Sequence, residues 1–72
     1  MTAFRVTGII LGARQAVLVV AIGDEQHRVA VTAAGAVLVP AALARHHLRQ
    51  DIEAEARVVA AASWLGKASV AP

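Results

Sequence analysis

The chain contains no cysteine. Disulfides, thiolate metal sites and cysteine nucleophiles are therefore excluded. Tyrosine is absent, and Phe4 and Trp64 are the only Phe, Tyr or Trp residues. That is too few for a platform on which single-stranded bases stack. Lysine occurs once and the formal charge is only +2. Charged residues form 17% of the chain, against a typical share of about 25%. Such a thin field is weak support for a nucleic-acid partner. The glycines are dispersed at positions 8, 12, 23, 35 and 66 and build no phosphate-cradling loop. Ser63 and Ser69 lack the surroundings of a nucleophile elbow. Asp24 and Glu25 adjoin in a turn rather than facing each other as acid and base. The expectation is a protein that is not an enzyme and carries no cofactor and no metal.

A long apolar run is missing too. The longest stretch without charge, "VAVTAAGAVLVPAALA" at 29–44, contains Gly35 and Pro40. It is shorter than the roughly 20 residues a membrane-spanning helix needs. The first ten residues, "MTAFRVTGII", carry Arg5 and no apolar core of an export signal. A soluble, cytoplasmic protein without a membrane partner is expected.

What the chain does have is apolar bulk. Hydrophobic residues make up 58% of its 72 positions. A domain this small buries only about 60% of its unfolded surface, so a lone copy is marginal. It carries more valine, leucine and isoleucine than a small interior can hide. Some of that surface is expected to be covered by another chain, most simply a second copy.

One small domain spanning 1–72 is expected. "AFRVTGIIL" at 3–11 is rich in β-branched residues and reads as a strand. "GARQ" follows as a turn, with Gly12 free to take positive φ. "AVLVVAI" at 16–22 is a second strand, and "GDEQ" a break of hairpin length. "HRVAVT" at 27–32 and "AVLV" at 36–39 complete four strands. The short gaps favour an antiparallel meander. In the second strand Val17, Val19 and Ala21 alternate with Leu18, Val20 and Ile22. Both of its faces are apolar, which a sheet with one wet face does not require. The chain's own C-terminal half can cover one face. The other needs a second copy, a partner, or closure into a barrel.

Pro40 suits the first position of a helix. "PAALARHHLRQ" at 40–50 then pairs Leu43 with His47, Ala44 with Leu48 and Arg45 with Arg49 at i,i+4. Beyond it, "DIEAEARVVAAASWLG" reads as a second helix, with Asp51 as N-cap, a Glu53–Arg57 pair, a stripe of Ile52, Ala56, Val59 and Ser63, and Gly66 as its stop. The tail "KASVAP" is expected to fray or to extend a sheet edge. The fold expected is α+β: a four-stranded antiparallel meander followed by one or two C-terminal helices.

An alternative exists for 52–58, because "IEAEARV" also alternates strictly. A strand there makes a five-stranded SH3-like barrel with a short helix. In that form "AVT" at 30–32 and "LRQDIEAEA" at 48–56 faintly resemble the TOBE-like molybdate-binding barrels of molbindins and transporter ATPases. The resemblance covers about half the chain and implies an oxyanion site. Asp51 replaces the usual glycine of the last turn and would repel an oxyanion.

The most chemically loaded stretch is "ARHHLRQD" at 44–51. Adjacent residues on a helix point about 100° apart, so His46 and His47 do not share a metal ion there. Arg45, His46 and Arg49 form one side of a helix, which Arg57 extends, and two arginines a turn apart can each meet a phosphate. That makes a small basic nucleic-acid binder the alternative function. The leading expectation is a non-catalytic interaction or regulatory protein that acts as a homo-oligomer or binds a larger protein. Leu18, Val20, Ile22 and Trp64 are its expected interface anchors, the first three because the second strand is apolar on both faces, Trp64 because tryptophan is enriched at binding hot spots. Phe4 is expected to plug the sheet's opposite end.

Overall fold

The computed structural model describes residues 4–70, and side chains as far as position 66. Four strands run in order: β1 (Arg5–Leu11), β2 (Gln15–Ile22), β3 (Glu25–Thr32) and β4 (Val37–Leu38). Each pairs antiparallel with the next, giving one sheet of order β1-β2-β3-β4. A single 3-10 turn (Ala41–Leu43) leads to one helix, α1 (Arg49–Val70).

Turn chemistry sets the register. Gly23 has φ +59 and is the first central residue of a two-residue turn closed by the pair Ile22–Glu25. Glycine is what a type II′ hairpin turn requires there. From that pair the ladder runs without a slip to Gln15–Thr32. Gly35, at φ +94, closes the β3–β4 turn. Gly12 does not take positive φ; its need is space. A Cβ there would lie 2.8 Å from the Gln15 carbonyl oxygen, to which the Gly12 N–H donates.

β1 contains a bulge between Val6 and Gly8. The extra residue, Thr7, reverses the alternation, so Val6 pairs with Val20 while Ile9 and Leu11 pair with Leu18 and Ala16. All of these lie on the face that α1 covers. Ala16, Leu18, Val20, Val29 and Val31 from the sheet are buried with Ile52, Ala56 and Ala60 from the helix. Alanine at 56 and 60 lets the helix backbone approach closely, and α1 touches all four strands. Leu43 and Phe4 complete the core.

Residues 52–62 are helical, and the sheet does not close, so the barrel alternative is overturned. A β-strand at 52–58 would turn Ala54 and Val58 to the same face as Ile52 and Ala56; instead Ile52, Ala56 and Ala60 are buried while Ala54 and Val58 are exposed, which is the helical spacing. The helix expected at 40–50 is reduced to the 3-10 turn, with Pro40 in extended conformation (φ −67, ψ 159) ahead of it. α1 begins two residues before Asp51. The Leu48 carbonyl accepts from the Ile52 N–H, and His46 Nδ1 meets the Leu48 N–H at 3.1 Å just upstream. Asp51 sits in the first turn, where its charge favours the helix dipole without capping it. Gly66 does not stop the helix, which runs on to Val70; the tail expected to fray is therefore helical to that point. Ala71 and Pro72 lie outside the described residues.

Candidate functional site

The basic cluster expected at 44–57 is divided by the fold. Arg49 donates from Nε to Glu53 at 2.9 Å and from a terminal nitrogen to the Ala44 carbonyl at 2.9 Å. Arg57 reaches the opposite flank of α1, donating to the Gly35 carbonyl at 3.1 Å. Arg45 and His46 lie in the turn before the helix rather than on it. A helix face of four cations does not form. The rings of His46 and His47 stack at 4.6 Å with 19° between planes. They are neighbours because the segment is not helical, contrary to the 100° argument. His27 pairs instead with Glu25 at 3.2 Å. Among the described residues, no three of His, Asp and Glu gather to hold a metal ion. No helix among them is long and apolar enough to cross a membrane.

The expected interface anchors lie mostly in the chain's own core. Leu18 and Val20 are wholly buried beneath α1, and Ile22 is half-buried beside them. An anchor must be reachable, which Leu18 and Val20 are not; the other side of β2 carries Val17, Val19 and Ala21. Trp64 is half-buried at the end of the sheet, its indole Nε1–H donating to the Gly12 carbonyl at 2.9 Å.

That other side of the sheet carries no covering layer among the described residues. Pairing places Ile10 beside Val17, Val17 beside Ala30 and Ala30 beside Leu38. These four residues form one apolar row across all four strands. Ile10 is 66% exposed and Leu38 58% exposed at its ends. The next level holds Gly8, Val19 and Arg28, and the one beyond it Arg5, Ala21 and Gln26. Gln15 and Thr32 flank the row on its other side. Among the described strand residues no acidic one belongs to this face, and Arg5 and Arg28 are its charges.

A second surface lies at the sheet's edge. β1 has a neighbour on one side only. Between its free edge and α1 runs an open groove of about 1000 Å³, walled by Val6 and Ile9 below and by Asp51, Ala54, Glu55 and Val58 above. Val58 is 63% exposed there.

Sequence reasoning found the second apolar face of β2 but not Ile10, Ala30 and Leu38, which complete it. The signal was available for Ala30, because the Gly23–Asp24 turn fixes its pairing with Val17. For Ile10 it was masked by the bulge at Thr7. The chain matches no protein-family model, no curated protein and no solved structure.

Proposed function

We propose that this chain is a non-catalytic interaction protein that pairs with a second copy through the open face of its sheet. The observation that carries this reading is the row Ile10–Val17–Ala30–Leu38. A sheet face with a continuous apolar row is stable when another layer packs about 10 Å above it.

The slab dimensions, 41 × 23 × 16 Å, fit two layers and no third.

Charge is compatible with a two-fold. An axis along the apolar row turns each copy over and end for end. Arg28, one level to one side of the row, then faces the level of Gln15 and Thr32 on the other copy. The arginines do not meet each other, so like-charge repulsion does not oppose pairing.

The test is multi-angle light scattering behind size exclusion, on the wild type and on Leu38→Asp. The expected masses are twice 7.4 kDa and 7.4 kDa respectively. A wild type that stays at 7.4 kDa across micromolar concentrations overturns the proposal.

A further inference from the structure

We propose that the groove between β1 and α1 takes an extended, basic segment of another protein as a fifth strand. This surface is separate from the open face and does not depend on its pairing.

β1 is an edge strand, with one row of backbone N–H and C=O groups facing away from β2. Such an edge is a template for another strand. Short edges, lysines and prolines usually blunt it. β1 is seven residues, "RVTGIIL", with no proline and no lysine; its bulge at Thr7 is its one irregularity.

The position beside β1 is already roofed. α1 overhangs that edge with Ala54 and Val58, and Ile9 lies beneath at 37% exposure. A fifth strand would place alternate side chains against these three residues. This is strand addition, in which main-chain bonds give affinity and pockets for alternate side chains give selectivity.

Charge selects the occupant. Asp51 and Glu55, one turn apart, stand on the helix wall of the groove. Both are exposed, and neither has an ion pair among the described residues. Among the described residues the lining holds one cation, Arg5, against these two carboxylates, so the groove is net negative. A lysine or arginine on the incoming strand therefore meets two carboxylates. A second copy of β1 fits less well. Paired antiparallel about Gly8, its Arg5 would lie opposite Leu11, at the far end of β1 from Phe4 and Asp51.

The test uses a capped hexapeptide, Lys-Thr-Val-Thr-Lys-Thr, whose lysines and valine share the face turned to the groove, titrated into ¹⁵N-labelled protein at millimolar peptide. The expected result is amide shift changes confined to β1 and to 51–58. The peptide with glutamate in place of both lysines should bind about tenfold more weakly, as two exposed charge contacts imply. Glu55→Gln and Asp51→Asn should each weaken the lysine peptide several-fold while the circular dichroism spectrum is unchanged. The same peptide with alternate amides N-methylated should lose binding. Leu38→Asp, on the open face, should bind normally. Equal binding of the N-methylated peptide, equal binding of the glutamate peptide, or no shifts in β1 overturns the proposal.

Discussion

Trp64 donates its indole N–H to the carbonyl of Gly12 at 2.9 Å, across 52 positions of sequence. The bond ties the last described turns of α1 to the first hairpin of the sheet. Because the site is partly exposed, the lost bond is replaced by water, and Trp64→Phe should cost about 1 kcal/mol. Trp64→Ala also removes a half-buried indole and should cost about 2–3 kcal/mol, less than a fully buried tryptophan would. Urea unfolding at one fixed protein concentration reads both.

Two glycines should respond in opposite directions. At Gly12 an added Cβ meets backbone at 2.8 Å, which does not yield. Gly12→Ala should therefore destabilise by about 2 kcal/mol. Gly66 lies inside α1 with nothing within 4 Å of the added atom. Gly66→Ala should stabilise by about 1 kcal/mol, the difference in helix propensity. Thermal melts followed by circular dichroism distinguish the two signs.

Ala60 is wholly buried where α1 lies on the sheet. Ala60→Leu forces the helix away from the strands and should cost about 1–3 kcal/mol. Ala54 is exposed on the open wall of the groove beside β1, so Ala54→Leu meets no packed neighbour and should leave stability within about 0.5 kcal/mol. Equal effects at the two positions would contradict the packing described.

Much of this fold was legible in the chain, for identifiable reasons. The β2 alternation and the Gly23–Asp24 turn together specify a hairpin and its register. The stripe Ile52, Ala56, Val59, Ser63 specifies the buried side of α1, with Ala60 the addition that contact with the sheet reveals. Two features were hidden. The bulge at Thr7 leaves no mark in the hydrophobic pattern, because Ile9 and Ile10 satisfy either phase. The segment 40–48 has helical spacing, yet only Leu43 is buried in it. Too little apolar area is covered there to hold a second helix, so a single 3-10 turn forms. The expected anchors failed on the same point: periodicity separates two faces without saying which one the chain covers itself.

Arg49 is the first residue of α1. Its bonds to Glu53 and to the Ala44 carbonyl brace the entry to α1. Arg49→Ala should cost about 1 kcal/mol of stability. Binding of random duplex DNA at low salt, followed by fluorescence anisotropy, should be undetectable for wild type and variant alike. A steep salt-dependent affinity that falls on Arg45→Ala would favour the nucleic-acid alternative instead.

The most direct measurement is an isotope-filtered NOE experiment on an equal mixture of ¹³C-labelled and unlabelled chain. It sees only contacts between copies. The account predicts cross-peaks from the methyl groups of Ile10, Val17, Val19 and Leu38. A spectrum without intermolecular peaks, or with peaks only from Val58 and Leu65 on the helix, would contradict it.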